Sequence, residues 1–431
     1  MKTKLLNLKN NVKLIYTYVK DVNGVDVQLC FNAGALNDPK GKSGLAHFCE
    51  HAVSSAFSTQ KHNRNERRAL KNKYTYSNAN TSSFFVRFLL QVAHNQFEEA
   101  FDLMTEPFNS LQYIPEEFES ERKIIYDEIL TRKKTNEREL GNILLHQIYK
   151  EPEYNNIQIS AAGIVETVEK IKLEDIKKYI NDYFTQKNLT IVISGKIKLR
   201  KVIQYINKYI YPRIPVGEKL GFDFENYKGF KAPCFIQSPA VEDGKSIFLT
   251  FYAYDKCEKF STRKQYFVES LLNACLQEKF FEFYRTNNNL CYSCFAGLFN
   301  DNKYKECEFL VQCNDNNIEN VVNDFKDFLK FFEGEFSEDL FNKHKERKLS
   351  QVNFDLQNLS RISSSRFGEY KQYNEICNSD KTVINELKSV TFEQIKNLWK
   401  DILKSKPYLI LITSKEGLEN YDYKDFVKKL K

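Results

Sequence analysis

Residues 168–195, VEKIKLEDIKKYINDYFTQKNLTIVISG, return in altered form at residues 387–414, LKSVTFEQIKNLWKDILKSKPYLILITS. The two stretches align without a gap at an offset of 219. Ile171 meets Val390, Glu174 meets Glu393, Ile176-Lys177 meets Ile395-Lys396, and Ile191-Val192-Ile193 meets Ile410-Leu411-Ile412. Each copy reads as an amphipathic helix, a short polar turn and an apolar strand. Leu173 and Phe392 are followed by acidic residues, which suit the positive end of a helix. The strands are near-continuous apolar runs, the pattern expected when both faces of a sheet are covered. A repeat of this length in a chain of 431 residues implies two related domains. The expected fold class is therefore α+β: two homologous α/β-sandwich domains, each a mixed sheet packed with helices.

The stretch 213–232, RIPVGEKLGFDFENYKGFKA, carries Pro and Gly and lacks helical periodicity, so the boundary is expected there. The division reads as an N-terminal domain over 1–215, a linker over 216–232 and a C-terminal domain over 233–431. In the first domain VDVQLCF alternates Val25, Val27, Leu29 and Phe31 on one face of a strand. KSIFLTFYAY and CEFLVQC are comparable strands in the second, and helical patterns run over 115–135 and 263–285.

Composition narrows the class. Hydrophobic residues at 42%, with 35 Phe and 25 Tyr, suffice for two cores, while only 15 Gly and 9 Pro exclude low-complexity structure. The net charge of +7 arises from 64 basic and 57 acidic residues interspersed along the helices, with no basic stripe to mark a nucleic-acid surface. The N-terminus, MKTKLLNLKNNVKLIYTYVKD, enters a strand pattern with no signal-like apolar run, and no segment reaches the roughly 18 apolar residues of a membrane span. A soluble, cytoplasmic protein is expected, with no membrane or nucleic-acid partner. Its ten cysteines lie mostly in apolar stretches and are expected as buried thiols; Cys291 and Cys294 form a single C-x-x-C without a second pair at zinc-ribbon spacing.

The stretch 44–55, GLAHFCEHAVSS, concentrates His47, Glu50 and His51 in a chain with six histidines. A Gly-, Asn- and Pro-rich loop precedes it, and Ser43 is the expected N-cap of a helix. Positions i and i+4 of a helix lie about 40° apart, so His47 and His51 point the same way, one turn apart. Glu50 flanks that face. H-x-x-E-H is the inverzincin signature: two imidazoles hold a zinc ion that acidifies water, and the carboxylate takes the proton. Histidines so spaced also occur as plain core or surface residues, and the five positions alone leave both readings open. A catalytic zinc needs a third protein ligand. A second helix, PEEFESERKIIYDEILTRKK, opens with Pro115 and an acidic first turn and places Glu121 and Glu128 seven apart on one face.

With these residues the chain resembles the inverzincin zinc metallopeptidases, the family of pitrilysin, insulin-degrading enzyme and mitochondrial processing peptidase. In that family a glutamate some 70 to 80 residues beyond the motif completes the zinc site, and another lies seven positions before it. Here 76 residues, 52–127, separate His51 from Glu128. The resemblance implies Glu128 as third zinc ligand beside His47 and His51, Glu50 as general base, and Glu121 as a carboxylate supporting catalysis by orienting a ligand. In YRTNNNLCYS it implies Arg285 and Tyr292 as contacts to the peptide near the scissile bond. In YTYSNANTSSFFVRF it implies a strand that pairs with the peptide backbone, with Asn78 and Ala79 as binding residues; the sequence leaves that strand's register open. The phrase after His51, AVSSAF, departs from the bulkier, often Gly-containing phrase usual in the family. The second half has no H-x-x-E-H, its one histidine being His344.

The implied function is a zinc-dependent endopeptidase, with one Zn2+ per chain, that hydrolyses short or unfolded peptides in an enclosed chamber. Such chambers consist of four domains of this kind. Two are expected here, which implies a homodimer or a heterodimer with a related chain. The alternatives are a dedicated protease for the leader of one modified peptide or bacteriocin, and a partner subunit of a heterodimeric processing peptidase.

Overall fold

The structure, a computed structural model, describes residues 1–131, 135–148, 161–221, 231–256, 262–300, 304–377, 379–415 and 422–430. Its first sheet is built from β1 (Thr3–Asn7), β2 (Lys13–Tyr18), β3 (Gly24–Phe31), β4 (Tyr76–Thr81), β5 (Val86–Ala93) and β6 (Leu189–Gly195). They lie in the order β1-β2-β6-β3-β5-β4, with β2 and β6 parallel and every other pairing antiparallel. The alternating residues of β3, Val25, Val27, Leu29 and Phe31, all face one core. Helices α1 (Leu45–His51), α2 (Arg64–Lys71), α3 (Phe97–Thr105), α4 (Pro115–Thr131) and α5 (Leu173–Tyr183) accompany this sheet.

The second sheet contains β7 (Phe235–Ser238), β8 (Lys245–Lys256), β9 (Ser293–Asn300), β10 (Tyr304–Asn314) and β11 (Pro407–Ile412), with helices α6 (Arg263–Phe281) and α7 (Phe392–Leu403). Its order, β7-β11-β8-β10-β9, reproduces β2-β6-β3-β5-β4 of the first, down to the single parallel pair. The repeated sequence supplies α5 and β6 in one copy and α7 and β11 in the other.

Both repeated strands are buried along their whole length, as apolar runs without alternation require. On β6, Leu189, Ile191 and Ile193 join the main core, while Val192 points the other way, toward Ile15, Cys30 and Phe367. Phe367 belongs to the helix Leu359–Tyr373, far along the chain. On β11, Tyr408, Ile410 and Ile412 pack with Ile247, Leu249 and Phe251 against Leu140, Ile143 and Ile148, from the helix Asn136–Ile143 and the turn after it. Phe251 and Tyr408 stack with ring centroids 4.5 Å apart. Each large side chain so covered contributes roughly 1.5–3 kcal/mol.

The compact units are consequently discontinuous in sequence. One comprises Met1–Lys133, Pro152–Asn226 and Asp355–Asp380; the other comprises Lys134–Glu151, Tyr227–Phe354 and Lys381–Lys431. This differs from a division into 1–215 and 233–431 because each sheet needs a second covering layer, and a helix from the opposite half of the sequence provides it. Residues 222–230, inside the expected linker, lie outside the described residues. Nine cysteines are described and all are unpaired, Cys257 lying outside the described residues. Among the described residues no helix is long and apolar enough to cross a membrane.

Candidate metal centre

Helix α1 starts in a crowded corner. Gly44, its N-cap, has φ +98°, and a Cβ there would lie 2.5 Å from the Ala162 carbonyl oxygen, so only glycine fits. The cap is not Ser43. The first free N–H groups of the helix, on Gly44 and Ala46, each donate at 2.8 Å to the carboxylate of Asp38, which reaches back from the preceding loop. A buried carboxylate at a helix N-terminus satisfies donors that would otherwise be orphaned. Burial pushes the Asp38 carboxyl up to about 8 against the pull of these backbone donors.

Leu45, Ala46, Phe48 and Cys49 anchor α1 in the core. Phe48 stacks on Phe118 of α4, centroids 5.0 Å apart and planes 13° from parallel. That stack clamps α4 to α1. One turn beyond Phe118 comes buried Glu121, and two turns beyond that Glu128.

The structure brings His47, His51 and Glu128 to one point, with one ligand atom from each within 4.8 Å of the others. The two Nε2 atoms are 3.2 Å apart, and Glu128 Oε2 is 3.8 Å from each. His51 Nδ1 donates to Glu121 Oε1 at 2.7 Å, which leaves its Nε2 as a bare lone pair aimed at the shared point. Arg68 of α2, 3.7 Å from Glu121 Oε2, steadies that carboxylate from behind. Ligand atoms around a tetrahedral zinc with bonds of about 2.0–2.1 Å are spaced roughly 3.3 Å apart. Two imidazole nitrogens and one carboxylate oxygen at these separations fit a zinc ion. Burial by itself would lower the His51 pKa; the Glu121 hydrogen bond and the charges of Glu121, Glu128 and Glu50 reverse that and raise it. The same negative field favours a metal cation.

Glu50, on α1 between the two histidines, is buried and accepts a 2.6 Å hydrogen bond from Thr81 Oγ1. Burial raises its pKa, opposed by Thr81 and by the His51 charge. Thr81 ends β4, an edge strand paired only with β5 in the register Asn78↔Leu89, Ala79↔Phe88 and Thr81↔Val86. Asn78 is exposed and bonds Tyr76, whereas Ala79 packs on the core, so its backbone is what it offers to a ligand. In the other unit, Arg285 and Tyr292 adjoin: the guanidinium donates to the Tyr292 carbonyl and lies 4.9 Å from the centre of its ring. Tyr292 is 82% exposed.

Asp38, Arg68 and Thr81 escaped the sequence reading. Thr81 lies within YTYSNANTSSFFVRF, the stretch expected to pair with the peptide, but pairing it with Glu50 needed the strand register.

Residues 15–160 match the family profile described as Insulinase (Peptidase family M16), and residues 170–348 match the Peptidase M16 inactive domain. Among curated relatives, the zinc protease PqqE of Helicobacter pylori is 24% identical over 219 residues, covering 51% of this chain and 49% of the relative. The uncharacterized zinc protease YmxG of Bacillus subtilis is 21% identical over 196 residues, 45% of this chain and 46% of its own. The chain thus spans about half the length of the curated relatives it matches. A protease from Helicobacter pylori superposes with a TM-score of 0.78 at 18% identity, over 96% of this chain and 99% of that one. The periplasmic protease PqqL of Escherichia coli does so with a TM-score of 0.79 at 15% identity, over 100% of this chain and 50% of that one.

Proposed function

The chain belongs to the M16, pitrilysin-like family of zinc peptidases, and from that premise we propose that it is a zinc endopeptidase acting on short or unfolded peptides. The observation that carries the proposal is the convergence of His47, His51 and Glu128 around one point, with buried Glu50 on the same helix as both histidines. These three residues would hold one zinc ion per chain, which when bound would supply Lewis acidity to the reaction.

The chain's own residues account for the rest. Glu121 fixes the His51 tautomer, so that Nε2 is the coordinating atom. Glu50 takes the proton as water adds to the carbonyl and returns it to the leaving amine. Its burial suits that task by raising its proton affinity, and Thr81 holds its orientation. The free edge of β4 pairs with an extended peptide through backbone hydrogen bonds. Asn78 and Ala79 border that peptide, and the resemblance of YRTNNNLCYS to the family's phrase is what supports Arg285 and Tyr292 as contacts to the peptide.

A chamber that admits only slender substrates accompanies this reading, closed by a second copy or by a related chain. The match to half of the Escherichia coli PqqL chain supports it, since that chain is about twice as long. A cytoplasmic location is proposed with it, supported by thiols that stay unpaired throughout the described residues. Whether the substrates are many or one dedicated leader peptide is a matter for peptide-library cleavage.

The decisive variant is Glu50→Gln. It retains about one zinc per chain and a native melting profile, while peptide cleavage falls by roughly 10²–10⁴. Undiminished cleavage by Glu50→Gln overturns the proposal, as does full activity of metal-free protein.

A further inference from the structure

Helix α2 presents three cations to the region beside the metal centre, and they are not equivalent. Arg67, 2% exposed, donates to the carbonyls of Phe57, Val53 and Ser54. Arg68 faces Glu121. Lys71 is left. It is half-buried beside Arg67 and Arg68, with the Glu50 charge as its favourable neighbour, and among the described residues no carboxylate forms an ion pair with it.

Lys71 lines a half-open pocket. Three of the residues that line it each carry a buried polar atom without a hydrogen-bond partner: Ser54 Oγ, Arg67 Nε and the hydroxyl of Tyr74. Unpaired buried donors are costly, so a pocket that collects several suits a ligand that accepts from them. An ammonium, a guanidinium N–H and two hydroxyls together call for an anionic acceptor. The opposite wall is apolar, with Phe88 of β5 and Leu103 and Met104 of α3. A ligand that satisfies both walls carries a carboxylate on an aliphatic stem. Asn78 of β4 stands on the rim. Val53 and Ser54, in the turn that continues α1 past His51, place the pocket next to the metal ligands.

We propose that this pocket receives the side chain of an acidic residue, glutamate above all, from the peptide laid along β4. The inference rests on the peptidase reading and names a substrate class for it. Lys71 is the specificity-determining residue: its charge pairs with the carboxylate, Tyr74 and Ser54 complete the hydrogen bonds, and the apolar wall favours the longer stem of glutamate over aspartate. Arg67 holds the pocket's shape through the three carbonyls.

The test uses pairs of peptides that differ only by Glu or Gln at one position. That position is walked along the chain, and the C-terminus is either free or amidated. For the zinc-loaded protein, kcat/KM is expected to favour Glu by at least about tenfold at one position, whatever the C-terminus. The Glu/Gln ratio is measured within each variant, so loss of folded protein cancels. It falls to about one in Lys71→Met, and Lys71→Glu turns the preference toward a Lys-containing peptide. Anisotropy of the same labelled peptides on Glu50→Gln protein reads the pocket independently of cleavage. A Glu preference in binding without any cleavage by the wild type therefore strikes the peptidase reading and upholds the pocket. Equal binding and cleavage of Glu and Gln peptides means that the pocket holds water only and overturns the inference. A ratio untouched by Lys71→Met, or a preference that follows the free C-terminus, also overturns it.

Discussion

The side chains around α1 divide into those that hold one another and those held ready for something absent from the chain. Thr81 is of the first kind, and its hydroxyl donates a hydrogen bond to the Glu50 carboxylate. Thr81→Val should therefore leave zinc content intact and lower kcat/KM by roughly tenfold or more, the loss of one hydrogen bond to a charged group. Parallel metal analysis and steady-state kinetics check this. Lys71 is of the second kind. Burial, with the positive charges of Arg67 and Arg68, lowers its pKa to about 8 from the ordinary lysine value, while Glu50 pulls the other way. A depressed lysine pKa means that the folded state binds the proton less tightly than the unfolded one. Stability is thus reduced wherever both states are protonated, below about 8, and is regained as pH rises through the folded and then the unfolded pKa. Lys71→Met should accordingly raise stability at pH 7 by about 3 kcal/mol, with the gain fading above pH 8 and gone near pH 10.5. Thermal melts across that range decide it.

At the scale of elements, the candidate metal centre depends on how α4 is seated against α1, through the Phe48–Phe118 stack and the His51–Glu121 hydrogen bond. The Phe48–Phe118 stack sets the height of α4 against α1, and with it the positions of Glu121 and Glu128. Phe118→Ala removes none of the ligands, yet it should cost about 3–5 kcal/mol of stability. Zinc affinity measured by competition with a chelator should fall at the same time. Unchanged affinity in a destabilised protein would show that α4 is positioned by other contacts. The edge strand β4 works differently. Its Thr81 end meets Glu50, its Asn78 borders the pocket, and its outer backbone is unpaired within the sheet, so one short element joins Glu50, the pocket and a free strand edge.

At the scale of the molecule, each sheet borrows its second covering layer. Val192, Ile15 and Cys30 are sheltered by Phe367, which lies 175 positions beyond Val192 in the chain. Residues 1–226 expressed alone should therefore lack a sharp thermal transition, because one face of the first sheet is stripped. Supplying residues 355–380 in fusion should restore it. Phe367→Ala in the full chain should destabilise the unit containing the metal centre by about 3–5 kcal/mol, although the residue lies in the second half of the sequence. Hydrogen exchange of β6 amides reports this directly. Light scattering, with a mass of twice 50.8 kDa expected, tests whether two copies assemble.

Some of this was written in the order of residues. The repeat at an offset of 219 announced two related domains, and the uninterrupted apolar runs of β6 and β11 announced that both faces of each sheet would be covered. The spacing within GLAHFCEHAVSS placed His47 and His51 on one helix face, because helical geometry is local and periodic. Which helix covers which sheet, that Asp38 caps α1, that Thr81 meets Glu50, and that Lys71 shares a pocket with Tyr74 and Met104 were decided by the tertiary structure alone. Those contacts depend on strand register and helix height, which arise from packing across the whole chain and leave no periodic mark on the residues that make them.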